Sequence, residues 1–515
     1  MTISDQLARH ARSIPDKVAY QFEGVDRTYS ELDARVNRLA NGLRDRGVGH
    51  GDRVALLTLN NLETVETFFA CARLGAIAVP VNFRLVVDEV AYILDDCGAT
   101  TVIVDASLAA VVAKARVRAS TVQRCLVIGG QADAGPETET FDDVVRHASS
   151  TTAEIEVDEK SPAFIMYTSG TTGRPKGAVL THHNLGVHTV SNMIHLGLPP
   201  DCRVWLTGTP LFHVAGVAGL LPSLFVGGRM VVMPMGAFDP GATVDLLERE
   251  RINMCFFVPA QWQAICGLPD IGNRELSALR LISWGAAPAT RSLLTKIIDT
   301  FPHAKLYSAF GQTECSPITA MLLGEDALRK MGSIGTPMVN VEVRIVDAGM
   351  NDVPVGEVGE IVYRGPTIMK EYWNKPEESV AAFSGGWFHS GDLVRQDEDG
   401  FLYVVDRLKD MIISGAENIY SSEVEDAVAC HPKVAEVSVV GVPDPKWGEV
   451  PVAVVVPTMG GKPPTFGEID GWCRERLAAY KCPRHLLITD VLPRNASGKV
   501  LKTALREEIN SRIGR

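Results

Sequence analysis

The stretch YTSGTTGRPKGAV, residues 167–179, follows directly on the apolar run AFIM (163–166) and decides how this chain is read. It packs three glycines, a serine, three threonines and two basic residues into thirteen positions. Glycine lets a backbone turn its amide hydrogens inward, hydroxyls add donors, and Arg174 and Lys176 add charge, so a loop of this make-up after a buried strand is suited to cradling phosphate. It is not a Walker A loop, which would need glycine at Pro175 and Ser or Thr at Gly177.

Outward from that loop, VALLTL (54–59) and TVIV (101–104) read as short buried strands, each bounded by Gly, Asp or Asn. Between such runs lie helical patterns, for example 29–47, where Leu32, Val36, Leu39 and Leu43 recur every three or four positions and a glycine closes the run. The alternation predicts an α/β fold with parallel strands. At 515 residues, two or more domains are expected. A compositional break at 151–164 reads as a connection between subdomains. After DRLKD (406–410) the pattern shortens to a βαβ-like region, with a helix at 422–430 and strands at 435–442 and 450–456. This predicts a large domain over 1–408 and a small mobile α+β domain over 409–515, hinged at Lys409.

The net charge of −12 gives no global attraction for nucleic acid or anionic lipid. Ten scattered cysteines without a C-x-x-C pair indicate neither a zinc site nor a disulfide framework, and a reduced, cytoplasmic setting is expected. The amino terminus lacks the apolar core of a signal peptide, and no run is apolar for long enough to span a membrane. Asn495-Ala496-Ser497 is read as a chance glycosylation match.

The loop at 167–179 resembles the signature of the acyl-adenylate-forming superfamily, and further motifs follow in that family's order: SWGAAP (283–288), AFGQTE (309–314), GSIGTP (332–337), WFHSGDL (387–393), DRLKD (406–410) and PRNASGKVLKT (493–503). With TYSELDARVNRLA (28–40) included, the resemblance covers essentially the whole chain. It implies an enzyme that uses ATP, Mg2+ and coenzyme A. The phosphate loop would be Thr168, Ser169, Gly170, Thr171, Thr172, Gly173 and Lys176. Gly285, Ala286, Ala287, Phe310, Gly311 and Gln312 would border the adenine, Phe310 standing where relatives keep tyrosine. Thr313 would bond a phosphate oxygen and Glu314 would hold magnesium, a hard cation suited to carboxylate oxygen. Asp392 and Arg407 would contact ribose, Lys409 would be the hinge, and Gly415 would let the pantetheine arm pass. Lys499 would bridge the acyl carboxylate and the α-phosphate.

The same resemblance makes His213, Val258, Trp284 and Ala309 walls of the acid pocket, with Trp284 either pointing inward or packing in the core. These segments are apolar and carry no Arg or Lys to hold a second carboxylate, so a hydrophobic monocarboxylate is expected. The sequence resembles actinobacterial fatty-acyl-CoA ligases, which implies a medium- or long-chain fatty acid. Alternatives are an aryl acid of the cinnamate, ferulate or benzoate kind, and a free-standing ligase that loads a carrier protein. Alanine at 416 and serine at 421 depart from the glycine and proline common in CoA ligases. A binding protein that kept the fold and lost turnover is the rival from another class. The acid, ATP and CoA are the expected partners, with no nucleic acid and no integral membrane association. Oligomeric state, monomer or homodimer, stays open.

Overall fold

The computed structural model describes residues 1–152, 155–168, 174–285, 287, 289–414, 417–494 and 498–513, the last three without side chains. The chain divides into two compact units: Met1–Val343 with Tyr363–Phe388, and Arg344–Val362 with His389–Arg515.

The first unit is built on two large sheets. In the eight-stranded sheet, β1 (Arg53–Leu57), β2 (Ile77–Pro80), β3 (Thr101–Asp105) and β4 (Pro162–Thr168) run parallel. The next strand, β5 (Lys176–Thr181), turns back antiparallel on β4. All five residues of β3 are buried, as a strand covered on both faces requires. In the nine-stranded sheet, β6 (Val204–Thr207), β7 (Met254–Phe257), β8 (Leu281–Trp284) and β9 (Lys305–Gly311) are parallel neighbours, and β10 (Ile318–Leu323) folds back antiparallel on β9. The short strand β11 (Glu371–Tyr372) returns to the first sheet beside β5.

The helix expected over 29–47 forms as α1 (Tyr29–Arg44). Thr28 and Glu31 make a reciprocal capping box, Thr28 Oγ1 accepting from the Glu31 N–H at 3.2 Å and Glu31 Oε2 from the Thr28 N–H at 2.9 Å. Leu32, Val36, Leu39 and Leu43 are all fully buried, so the three-four spacing marks the inward face. Two further helices matter for the site: α2 (His182–His195) and α3 (Val214–Phe225).

In the second unit, β12 (Phe388–Gln396) and β13 (Leu402–Arg407) form an antiparallel pair within a four-stranded sheet. The helix α4 (Ser421–Ala429) lies one residue from where it was expected. The expected βαβ-like arrangement is corrected. β14 (Val434–Asp444) and β15 (Gly448–Pro457) pair antiparallel over their length, because the three residues between them can close a hairpin but not a parallel crossover. The division of the chain also differs from the boundary expected at 408/409: Lys409 lies inside the second unit, since β12 and β13 belong to it. No helix among the described residues is long and apolar enough to cross a membrane.

Candidate active site

The edge of the first sheet gathers charge. Thr168 ends β4 and Lys176 begins β5, with the Thr168 hydroxyl 3.4 Å from the Lys176 carbonyl. Ser169, Gly170, Thr171, Thr172 and Gly173 lie outside the described residues, as do Ala286 and Gly415. The base of the loop is clasped by Asp96, which accepts from the Tyr167 hydroxyl at 2.7 Å and from Lys375 Nζ at 2.6 Å. Burial, first of all, and Asp96 raise the Tyr167 phenol, so it stays a donor. Arg174 lies over the Tyr92 ring at 5.2 Å, and an open cleft of about 500 Å3 runs past Tyr92, Asp96, Arg174, Lys176 and Lys375.

Across from this edge, Lys176 Nζ sits 5.3 Å from the centre of the Tyr372 ring on β11. The Tyr372 hydroxyl donates to Glu314 Oε1 at 2.9 Å. Glu314 is only 7% exposed, and burying a carboxyl group is costly unless it is hydrogen-bonded, as it is here to that phenol. Thr313 and Glu314 form a single 3-10 turn after β9, with Gln312 as its leading residue and a buried Gln312 Nε2 that has no partner. Gly311, just before, has no substitute: a Cβ there would lie 1.9 Å from the Pro317 carbonyl oxygen. Tyr372, Asp96 and Lys375 were missed in the sequence, since no local spacing links them to the loop.

β9 also carries the wall of an apolar cavity of about 270 Å3. In register across three strands, Phe256, Ser283 and Tyr307 form one row, and all three line the cavity. The next row, Phe257, Trp284 and Ser308, faces the other side of the sheet, because successive side chains on a strand alternate. Trp284 is therefore packed in the core, 5% exposed, and is not among the residues lining this cavity, which favours the second of the two placements the sequence left open. Val258 also stays out of the lining, since it caps the following helix, its N–H donating to Gln261 Oε1 at 3.1 Å.

Ala309, Phe310 and Gly311 do line the cavity, and so does His213. His213 caps α3, its Nδ1 accepting from the Ala215 N–H at 3.2 Å. It keeps solvent exposure on one side while protein mass around the ring lowers its pKa, so it presents a neutral imidazole. The turn that aims it is tight, since a Cβ at Gly216 would meet the Pro210 carbonyl oxygen at 2.3 Å. Among the described residues, the lining contains no Arg, Lys, Asp or Glu.

The second unit gathers its own charged group. Asp392 and Arg407 are register partners on β12 and β13, and Arg407 Nε meets Asp392 Oδ1 at 2.5 Å. Asp392 is 2% exposed and its N–H donates to Ser390 Oγ at 3.0 Å. Lys499 and Lys409 both have exposed side chains, yet both pKa values are lowered. For Lys499 the largest cause is desolvation by the surrounding protein, followed by repulsion from Arg407 and Lys409. Ser421, the departure noted in the sequence, is a structural hub: its Oγ donates to Asp406 Oδ2 at 2.9 Å and accepts from Lys502 Nζ at 2.6 Å. Gly285 is buried and Ala287 exposed, at the end of β8.

An α/β protein whose one strand runs from an apolar cavity to a lysine–tyrosine–glutamate cluster has the build of an enzyme that acts on an apolar acid with an anionic cosubstrate. Residues 7–373 match the family model for the AMP-binding enzyme, and residues 423–499 match that for the AMP-binding enzyme C-terminal domain. The chain belongs to this family, and it is an AMP-forming acid–CoA ligase by class. It is 42% identical over 504 residues to a feruloyl-CoA synthase of an Amycolatopsis species, covering 97% of each chain. It is 36% identical over 512 residues to a long-chain-fatty-acid–CoA ligase of Mycobacterium tuberculosis, covering 98% of each. Among solved structures, the o-succinylbenzoate CoA synthetase of Bacillus subtilis in complex with its acyl-adenylate intermediate matches with a TM-score of 0.85 and 34% identity, over 97% of each chain.

Proposed function

We propose that the protein activates an aryl monocarboxylic acid with ATP and passes the acyl group to coenzyme A, releasing AMP and pyrophosphate. The observation that carries this reading is the cavity: about 270 Å3, walled by Trp205, Phe256, Tyr307 and Phe310. That is just below the usual size of ligand cavities, roughly 300–1,000 Å3, and suits a compact ring better than the medium- or long-chain fatty acid implied by the resemblance. The greater identity to the feruloyl-CoA synthase than to the fatty-acid ligase supports the same choice. A neutral lining without basic groups fits a monocarboxylate.

In the first half-reaction a carboxylate oxygen of the acid attacks the α-phosphorus of ATP, and the bond to pyrophosphate breaks. Little covalent help is needed, so positioning and charge neutralisation dominate. We assign phosphate binding to Thr168, Lys176, Thr313 and the loop residues 169–173, and ribose binding to Asp392 and Arg407. Glu314 fits Mg2+, since a buried carboxylate anchored through one oxygen by Tyr372 suits a hard cation, and among the described residues no cluster of three metal-ligating side chains competes. Mg2+, when bound, supplies neutralisation of phosphate charge. Lys499 would stabilise the charge that builds between carboxylate and α-phosphate. In the second half-reaction the CoA sulfur attacks the acyl carbon and AMP leaves, with Lys409 as the hinge between the two states and Gly415 beside the pantetheine arm.

The test is an acid panel with purified protein, Mg·ATP and CoA, following AMP and acyl-CoA by mass, from acetate to oleate and with benzoate, cinnamate and ferulate. Aryl acids should lead by at least about tenfold in kcat/KM. A lead for medium or long fatty acids would return the assignment to the aliphatic class.

A further inference from the structure

Two orphaned polar atoms belong to the wall of the cavity, both on α2. His188 Nδ1 and Asn192 Oδ1 are buried and have no hydrogen-bond partner, and both residues line the cavity. They stand four positions apart, hence on one face of the helix. His188 is 0% and Asn192 7% exposed, so bulk solvent does not serve them. A buried donor or acceptor left unmade costs roughly 1–3 kcal/mol, which a protein tolerates where a ligand completes the bond.

The protonation state of the ring follows from its other nitrogen. His188 Nε2 accepts the Ile318 N–H at 3.3 Å. Burial lowers the imidazole to about 3, so at neutral pH the ring is uncharged and its one proton sits on Nδ1. The wall therefore offers one donor and one acceptor, set among Trp205, Ala218 and Pro222. A methyl or a halogen-free ring edge would leave both unmade. A carboxylate has no proton for Asn192 Oδ1, and an ammonium cannot accept from His188. A hydroxyl does both with one oxygen.

We propose that His188 and Asn192 recognise a ring hydroxyl of the acid, the His188 N–H donating to the hydroxyl oxygen and the hydroxyl proton going to Asn192 Oδ1. The inference rests on the aryl-acid reading and narrows it to hydroxylated aryl acids. Specificity of this kind is strong because the acid that lacks the hydroxyl strands both protein groups.

The experiment is kcat/KM of the full-length enzyme for 4-hydroxycinnamate, cinnamate and 4-methoxycinnamate, in wild type, Asn192→Leu, His188→Phe and His188→Gln. Wild type should prefer the hydroxylated acid by about tenfold or more, as one lost pair of hydrogen bonds implies. Asn192→Leu and His188→Phe should each bring that ratio to within about threefold of unity, while His188→Gln, which keeps a donor, should restore part of it. The ratio is taken on one preparation, so loss of folded protein does not move it. Equal use of the three acids by wild type, or proportional loss of all three in the variants, would overturn the proposal while leaving the aryl-acid reading intact. Turnover of fatty acids with none of the aryl acids would overturn both.

Discussion

The cavity of the first unit and the charged group of the second solve opposite problems. The cavity is lined by neutral side chains, and its selectivity lies in volume and in a few hydrogen-bonding atoms. The second unit instead gathers Arg407, Lys409 and Lys499 beside Asp392 and Asp410, and desolvation first, with repulsion among the cations second to it, lowers both lysines. A site of that kind is relieved when a polyanion arrives, and its contribution is to rate. The two regions should therefore fail differently: removing a charge should cost turnover, and changing a volume should change which acid is used.

The largest effect tests that division directly. Lys499→Ala should lower acyl-AMP formation, read by ATP–pyrophosphate exchange, on the order of 10^3-fold, about 4 kcal/mol. Thioester formation from synthetic acyl-AMP should stay within about tenfold of wild type. Equal loss in both halves would mean that the lysine serves the fold or both reactions.

Next comes a contrast between neighbouring strand positions. Trp284→Ala removes a buried ring from the row opposite the cavity, so it should lower stability by about 3 kcal/mol in denaturant unfolding and leave the ranking of acids as it was. Ala309→Leu adds volume inside the lining and should lower kcat/KM for ferulate about 10- to 100-fold, with smaller acids less affected. A changed ranking in Trp284→Ala, or an unchanged one in Ala309→Leu, would reverse the assignment of the two faces.

That contrast also marks where the sequence stops being legible. Charged motif residues were named through the resemblance of whole motifs to a family, and the structure adds what no motif states, that Asp392 and Arg407 meet as partners on adjacent strands. α1 could be placed because its period and its Thr28–Glu31 cap are local. The cavity could not, since which of Ser283 and Trp284 faces inward depends on the register of β7, β8 and β9, and a shift of one residue exchanges the faces. Tyr372 was missed for a related reason: it reaches Glu314 across 58 residues of chain, through the pairing of β11 with β5. The hairpin of β14 and β15 was misread because an apolar strand looks alike in parallel and antiparallel sheets, and only the three-residue connection distinguishes them.

The smallest effect concerns the same helix that lines the cavity. His182 and His188, both on α2, are buried, and burial lowers them to about 4 and about 3. Asp5 opposes the shift at His182 and the N-terminal amine adds to it, whereas His188 answers to burial alone. In the unfolded chain each would titrate near 6.5, so below that pH the unfolded state binds more protons than the folded one and stability falls as pH falls. The loss begins near pH 6.5 and continues until the folded-state values are reached, at roughly 2 kcal/mol for each imidazole by pH 5. Burial raises the carboxyls of Glu66 to about 7 and Asp105 to about 6, and these titrate over the same range with the opposite sign, so the imidazole contribution is read as a difference between proteins. In denaturant unfolding the change in stability from pH 7.5 to pH 5 should be less unfavourable in His188→Phe than in wild type by roughly 2 kcal/mol, because a neutral ring of similar size cannot take up the proton in either state. If the slope were the same in His188→Phe, the acid sensitivity would lie elsewhere, and the neutral His188 ring that sets the donor in the cavity would lose its support.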